Sequence, residues 1–152
     1  MKCLLVKPEF AQWIVQDAKH SEYRTLKTYV RGRIGIAETG TWKSEIGPMR
    51  RIIGDVELYD CIFCPTGPCA GLYAWLLRNP RRYAKTIYVP VQHGPQIFFN
   101  AEYDVPEQFT DTLVGAEQID AEFECLKAEK KFLAKFGQNH NTNREAPIEK
   151  RT

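Results

Sequence analysis

Short apolar segments separated by turn residues fill most of the first hundred residues of this chain. Six of them read as β-strands, at residues 4–6, 25–30, 33–37, 52–58, 86–91 and 96–100. Gly54 lies inside the fourth segment and predicts either a bulge or the close approach of another backbone. Because so many short strands follow one another with little helix between them, the pattern predicts a small, strongly bent sheet or barrel.

Two short helices are predicted among these strands. Pro8 suits the first position of a helix that runs to about residue 17 with its apolar side chains on one face. A second helix is predicted at residues 72–78 and would be ended by Asn79 and Pro80. The predicted fold class is therefore α+β, a small β-barrel of five or six strands with flanking helices.

The chain changes character after residue 100. Residues 101–124 carry eight acidic and no basic side chains, and residues 116–136 place apolar side chains at helical spacing. The last fifteen residues are almost free of apolar side chains, so we expect them to be disordered. The predicted organisation has three parts: a barrel domain at 1–100, an acidic segment with an appended C-terminal helix packed on or beside the barrel at 101–137, and a disordered tail at 138–152.

The cysteine count and the apolar runs indicate a cytoplasmic protein. Five cysteines in 152 residues are an odd number at low density, which is typical of a reducing compartment. No apolar run approaches the roughly 18 residues of a membrane span, and Pro8 interrupts the first run too early for a signal peptide. We therefore expect no membrane partner.

Charged residues are concentrated between the first predicted helix and the next strand, in the segment Asp17-Ala18-Lys19-His20-Ser21-Glu22-Tyr23-Arg24. A solvated connection would have this composition, because surface charges are common. The functional interpretation is that Lys19 and Glu22 face each other across a cleft, with Arg24 on the strand. A lysine beside a carboxylate can bind a phosphate or, when desolvated, carry a proton.

The spacing Lys19-x-x-Glu22-x-Arg24 resembles the GxKxxExR signature of ASCH domains, which belong to the PUA-like superfamily of small β-barrels. Four further segments resemble the family in the expected order, namely Lys7-Pro8-x-Phe10-Ala11-x-x-Ile14, Tyr29-x-Arg31-Gly32-Arg33-Ile34-x-Ile36, Ile53-Gly54-x-Val56-x-Leu58 and Gly94-x-Gln96-x-x-Phe99. The resemblance covers about residues 2–100. Asp17 stands where the signature prefers glycine, so the backbone turn there can differ.

The resemblance implies a PUA-like barrel whose cleft is lined by Lys19 and Glu22. Some ASCH domains look like RNA-binding modules, some are metal-dependent ribonucleases, and some small relatives remove the acetyl group from acetylcytidine. The last group carries a threonine three residues after the motif lysine, where this chain has Glu22. If the chain is an enzyme, a ribonuclease-like hydrolase is therefore favoured over an acetylcytidine amidohydrolase. Lys19 and Glu22 would be its catalytic residues, and Glu22 would either orient Lys19 or help to hold a divalent metal.

The charge distribution favours a polyanionic partner. Residues 1–100 carry 14 Lys and Arg against 8 Asp and Glu, a net charge of +6, although the whole chain carries only +2. Basic groups near aromatic side chains serve single-stranded RNA, because they neutralise phosphates and stack on bases. The candidate RNA contacts are Lys19, Arg24, Arg31, Arg33, Arg50 and Arg51, with Trp42 as the candidate stacking residue.

Three cysteines invite a zinc hypothesis. Cys61, Cys64 and Cys69 could supply thiolates, but a second pair at zinc-ribbon spacing is lacking, and buried free cysteines are common. Zinc is therefore disfavoured at these positions.

The leading hypothesis is an RNA-interacting ASCH-type domain that binds single-stranded RNA or nucleotides in a basic cleft. One alternative is a hydrolase acting on a modified nucleoside, for which the cleft would be deep and closed. The other is a non-catalytic adaptor that binds a protein partner through the C-terminal helix.

Overall fold

The computed structural model describes residues 1–92, 94 and 97–110, which form eight β-strands and one short α-helix. In chain order the elements are β1 (Lys2–Val6), α1 (Pro8–Val15), β2 (Ser21–Arg24), β3 (Gly32–Glu38), β4 (Trp42–Ser44), β5 (Gly47–Phe63), β6 (Tyr73–Pro90), β7 (Phe98–Asn100) and β8 (Phe109–Thr110). Pro8 occupies the first turn of α1, where a missing backbone N–H costs nothing. Among the described residues, no helix is long and apolar enough to cross a membrane.

The strands form one sheet that curls into a half-barrel. Its strand order is β2-β6-β5-β3-β1-β7, with β4 paired to β5 and β8 paired to β6. β1 and β3 run parallel, with α1 in the connection between them, and the other pairs are antiparallel. The curl brings distant strands together, because Trp75 of β6 stacks on Phe98 of β7 with ring centroids 5.7 Å apart.

The long hairpin of β5 and β6 bends because its pairing is interrupted. The register shifts three times along it, at Ile52/Gly54, Asp55/Glu57 and Leu58/Asp60. A Cβ on Gly54 would overlap the carbonyl oxygen of Arg81 and lie 2.7 Å from Cγ1 of Val15. Both predicted features are therefore confirmed at Gly54, the bulge and the close approach of another backbone. Since bulges increase the local twist, these shifts account for the curvature of the hairpin.

Two apolar clusters cover the two faces of the sheet. The inner cluster, between the sheet and α1, consists of Leu4, Val6, Phe10, Ala11, Ile14, Val15, Ile34, Ile36, Ile53, Val56, Leu58, Cys61, Tyr73, Trp75 and Leu77. The outer cluster, on the opposite face, consists of Cys3, Leu5, Ala37, Ile52, Tyr83, Val89, Phe99 and Ala101. Successive residues of β1 alternate between the two clusters, as side chains of a strand must.

The predicted architecture agrees with the structure in part. Three expected strands are present, at 4–6 in β1, 33–37 in β3 and 52–58 in β5, and the helix from Pro8 is present as α1. The strand expected at 86–91 coincides with the end of β6, and the strand expected at 96–100 overlaps β7. The described residues hold eight strands rather than five or six, and one helix rather than several. The C-terminal helix expected at 116–136 and the tail at 138–152 lie outside the described residues.

The helix predicted at residues 72–78 is wrong, because this segment begins strand β6. Its backbone pairs in antiparallel register with residues 57–63 of β5. Asn79 and Pro80 form the extra residues of a bulge rather than a helix end, and Asn79 has a φ of 52°. Asparagine tolerates this left-handed region, and proline is accepted at bulges, where no ladder N–H is needed.

The strand predicted at residues 25–30 is also wrong. The strand lies earlier, as β2, and residues 25–31 connect it to β3. The carbonyl oxygen of Leu26 accepts a 2.9 Å hydrogen bond from Nε1 of Trp75, so this backbone group bonds a side chain instead of a neighbouring strand. The side chains of Leu26 and Tyr29 are exposed in this connection.

Candidate functional site

The structure separates the predicted site residues into three places. The buried ion cluster consists of Lys19, Glu22 and Arg24. The basic groove is lined by Lys2, Tyr29, Val30, Arg31, Arg33 and Ile34. The Trp42 cluster consists of Gln12, Glu38, Trp42, Arg50 and Arg51. Lys19, Glu22 and Arg24 are not among the residues that line the groove, so these contacts do not bring the predicted residues together in the single cleft expected from the sequence.

The end of α1 positions Lys19. The backbone N–H groups of Ala18 and Lys19 both donate to the carbonyl oxygen of Trp13, at 2.8 and 3.0 Å. This closed turn requires a positive φ at Asp17, which is 61°. Aspartate tolerates the left-handed region better than most residues, so Asp17 adopts the kind of backbone that the glycine of the resembled signature permits. Asp17 also contacts His20, whose Nε2 lies 2.9 Å from its Oδ1.

Lys19 and Glu22 form an ion pair inside the protein. Their Nζ and Oε1 atoms are 3.1 Å apart, and their side chains are only 2% and 5% exposed. The Lys19 ammonium also donates to the carbonyl oxygen of Ser21. It lies 5.7 Å from the ring centroid of Phe10 and 5.6 Å from that of Tyr23. Lys19 is therefore enclosed by its partners and is not presented on the surface.

Arg24 completes the buried ion cluster from the strand side. One of its terminal nitrogens, Nη2, donates to Oε2 of Glu22 at 3.0 Å and to the carbonyl oxygen of Leu5 at 2.9 Å. Its guanidinium lies 5.7 Å from the Trp75 ring. Glu22 thus lies between two cations, and the cluster carries a net charge of +1. Both carboxylate oxygens of Glu22 therefore accept from cations.

The basic groove is an open cavity of about 480 Å³ at the end of β1 where Lys2 lies. Its described lining holds three cations and no carboxylate. Tyr29 is 80% exposed, whereas Ile34 is buried in the floor. Nη2 of Arg31 forms a 3.7 Å ion pair with the exposed Asp60, a contact that solvent screens, and its Nη1 donates to the carbonyl oxygens of Thr28 and Val30. The groove therefore presents positive charge to solvent beside an exposed aromatic ring.

Lys2 and Tyr29 are functional candidates that were not predicted. Tyr29 was assigned to a strand, although it directly precedes Arg31-Gly32-Arg33 in the sequence. An exposed aromatic residue in a connecting segment next to two arginines is the signal that would have found it. Lys2 carries no comparable signal, since only the parallel pairing of β1 with β3 brings it beside Ile34.

Arg33 is held in the groove by a buried carboxylate. Asp55 is fully buried and accepts from Nη1 of Arg33 at 2.5 Å and from Tyr83 at 2.6 Å. Arg81 binds both oxygens of the same carboxylate, at 2.7 and 2.8 Å, and this raises the pKa of Arg81. Nη2 of Arg33 donates to the carbonyl oxygen of Asn79 at 2.9 Å. Arg33 is therefore a fixed charge.

The network extends from Asp55 towards the start of the chain through two tyrosines. The hydroxyls of Tyr83 and Tyr103 are 2.9 Å apart. Burial raises the pKa of Tyr83, and its hydrogen bond to Asp55 raises it further. Burial likewise raises the pKa of Tyr103 to about 12 and that of the Cys3 thiol to about 11. All three groups therefore stay protonated in the folded protein well above neutral pH.

The two arginines of the Trp42 cluster contact acceptor groups of the protein. The Arg51 guanidinium lies 4.8 Å from the Trp42 ring and 3.6 Å from Oε1 of Glu38. Arg50 donates to the carbonyl oxygens of Thr39 and Gly40. Trp42 is half-buried, whereas Tyr29 is 80% exposed, so Trp42 is less open to a base than Tyr29.

The three cysteines of the zinc hypothesis lie near the turn between β5 and β6. Cys61 and Cys69 are buried, Cys64 is half-buried, and all three are free thiols. Within residues 1–92, 94 and 97–110, no group of three or more His, Cys, Asp or Glu side chains is placed to hold a metal ion.

The raised pKa values predict that the protein loses stability in alkaline solution. In the unfolded chain Cys3 and Tyr103 release their protons near 9.0 and 10.0, before the folded chain does at about 11 and 12. The unfolded state therefore binds fewer protons, and the free energy of unfolding should fall as the pH rises from 9 to 11. Urea unfolding at several pH values measures this slope, which Tyr103→Phe should reduce.

Tyr29→Phe is the matched control for this experiment, because it removes an exposed phenol and should keep the wild-type slope. A free energy of unfolding that is constant or rises between pH 9 and 11 would contradict the assignment.

The buried ion cluster predicts unequal costs for removing its members. Glu22→Gln removes the carboxylate between two cations and should lower the free energy of unfolding by about 3–5 kcal/mol. Lys19→Met leaves Glu22 paired with Arg24 and should cost less. Urea unfolding monitored by circular dichroism at pH 7 compares the two, with Glu57→Gln in the exposed pair with Arg78 as the control that should change least. A larger cost for Lys19→Met would show that the cluster is organised differently.

Comparison with known proteins does not add a family to these observations. No family model matches the chain, and no curated protein matches it. The resemblance to ASCH domains therefore rests on the residues of the chain itself.

Proposed function

We propose that this chain is an RNA-interacting domain of the ASCH type, built on a PUA-like barrel, that contacts single-stranded RNA or nucleotides through the basic groove. The observation that carries the proposal is the groove itself, an open cavity of about 480 Å³ with three cations and an exposed tyrosine on its described lining. Phosphate neutralisation and base stacking are the two interactions that single-stranded RNA requires, and both kinds of group are present.

The charges of the groove are available at low cost. Lys2 has no carboxylate partner among the described residues, and its Nζ lies 5.7 Å from the Phe98 ring. Arg31 would exchange a long, exposed contact with Asp60 for a phosphate. Arg33 shares Asp55 with Arg81, so these three side chains keep a net charge of +1. All three cations can therefore attract a phosphate without breaking a buried ion pair.

The buried ion cluster has a different place in this proposal. A phosphate could reach Lys19 only by displacing Glu22, because the two side chains are almost fully buried against each other. Lys19 and Arg24 then stabilise the carboxylate and the end of β1 instead of contacting the RNA backbone. Arg50 and Arg51 do not line the groove and are therefore secondary to Arg31 and Lys2, which do.

RNA binding at two salt concentrations tests the proposal. We expect a labelled single strand of about 10 nucleotides to bind the full chain, with an affinity that falls steeply between about 50 and 200 mM salt. Arg31→Ala should weaken binding about tenfold, the value of one charge-assisted contact, and should reduce the salt slope by about one unit. Fluorescence anisotropy measures both quantities.

Lys43→Ala is the matched control, since Lys43 is exposed on β4 and does not line the groove. It should leave the affinity close to that of the wild type. No binding at low salt, or equal losses in Lys43→Ala and Arg31→Ala, would refute the proposal.

The enclosure of Lys19 and Glu22 favours a second candidate, a hydrolase acting on a small modified nucleoside. Buried and mutually paired ionisable groups are typical of catalytic sites, and a closed site suits a small ligand better than a strand. The adaptor alternative depends on a C-terminal helix that lies outside the described residues.

Turnover of acetylated and other modified nucleosides tests the hydrolase. Product formation should be lost in Glu22→Gln, assayed at a temperature at which circular dichroism shows this variant folded, and retained in Glu57→Gln. Absence of turnover with every nucleoside, or full activity of folded Glu22→Gln, would exclude a catalytic role for the buried ion cluster.

A further inference from the structure

We infer that the basic groove selects an unpaired base, which stacks on Tyr29 above an apolar floor while its phosphate is held by Arg31 and Lys2. The inference rests on the proposed RNA-binding function and deepens it by naming the recognised unit. That unit is one nucleotide of a single strand, whereas the backbone of a duplex would offer the groove phosphates alone.

Tyr29 is the most exposed large hydrophobic side chain of the segment that joins β2 to β3. It is 80% exposed, whereas Leu26 of the same segment is 43% exposed and Val30 packs against the inner cluster. In the part of the chain that the structure describes, the ring contact assigned to Tyr29 is with Lys27, whose Nζ lies 5.1 Å from the ring centroid. A large aromatic surface left in water beside a cation is suited to stacking on a base, with the lysine strengthening the attraction for a phosphate-bearing ligand.

The floor of the groove is apolar. Ile34 is buried at the start of β3, and Val30 is half-buried and packs against the inner cluster. Charged walls around an apolar floor match a nucleotide, whose base is flat and weakly polar on its faces and whose phosphate is ionic. A ligand with phosphate alone would leave this floor unused.

The size of the groove fits one nucleotide unit. Its volume of about 480 Å³ falls within the roughly 300–1,000 Å³ that small-molecule sites occupy. In a duplex the bases are stacked and paired, so their faces cannot reach a side chain such as Tyr29. The groove should therefore distinguish unpaired from paired RNA.

The backbone holds Arg31 and Tyr29 in one arrangement. Nη1 of Arg31 donates to the carbonyl oxygens of Thr28 and Val30, at 3.1 and 2.8 Å, so the arginine is tied to the segment that carries Tyr29. Gly32 follows with a φ of 105°, a conformation that favours glycine and turns the chain into β3. The phosphate contact and the stacking ring are therefore coupled through only three residues.

Substitution of Tyr29 tests the inference with a single-stranded RNA of about 10 nucleotides, the same sequence paired with its complement, and adenosine 5′-monophosphate as a competitor. Tyr29→Ala should weaken binding of the single strand about 5- to 150-fold, the range for losing one stacked base, without changing the salt slope. Tyr29→Phe should bind like the wild type. The monophosphate should compete with the single strand on the wild type and not on Tyr29→Ala, and the duplex should bind both proteins equally and weakly.

Leu26→Ala is the matched control, because Leu26 is an exposed apolar residue of the same segment that does not line the groove. Thermal unfolding should give each variant the wild-type midpoint. If Tyr29→Ala binds the single strand like the wild type while Arg31→Ala is weakened, or if the duplex binds as tightly as the single strand, base selection is refuted and RNA binding stands. If the wild type binds no RNA at low salt, both proposals fail.

Discussion

The buried carboxylate of Asp55 is the interaction on which the arrangement of the sheet depends. It is fully buried and accepts from Arg33 of β3 and from Arg81 and Tyr83 of β6, so one side chain of β5 joins three adjacent strands. An unpaired charge at this depth would cost several kcal/mol, and the two arginines and the tyrosine remove that cost only when all three strands are in register. The same contacts fix Arg33 at the groove, which links the folding of the sheet to the shape of the candidate site.

A second buried carboxylate, on the opposite face of the sheet, is also paired with two cations. Glu22 pairs across β2 and β6 with Trp75 of the inner cluster, and it lies between Lys19 and Arg24. Asp55 likewise has two cationic partners, and its tyrosine partner belongs to the outer cluster. Each carboxylate neutralises one of its two cations, so each site retains a net charge of +1. Both faces of the sheet therefore carry a fixed positive charge, and the cations that supply it are held in place by ion pairs with a buried carboxylate.

Sequence patterns predicted the elements that are determined by residues close together in the chain. A short apolar run predicted β1, alternation predicted β3 and β5, and Pro8 predicted the start of α1. The functional interpretation placed Lys19 opposite Glu22 across a cleft, whereas the two form a nearly buried ion pair, because a short turn and one strand bring them into contact. Residues 72–78 were mistaken for a helix, since only pairing with β5 makes them a strand. The separation of Arg31 and Arg33 from Lys19 was equally hidden, because it depends on the curl of the whole sheet.

The energetic difference between the two kinds of site determines which of them can bind a strand of RNA. A phosphate that bound Lys19 would have to enter a nearly solvent-free site and leave Glu22 with Arg24 alone. The phosphate would lose its hydration, and Glu22 would lose one of the two cations that offset its own burial, so binding there is costly. A phosphate that bound Arg31 would replace a 3.7 Å contact between two exposed side chains, which is worth little. Reversible binding of a long polyanion therefore favours the groove, where the charges are still hydrated. A ligand of the buried ion cluster would have to be enclosed by the protein, because only an enclosed ligand can offset the cost of desolvating its own charge there.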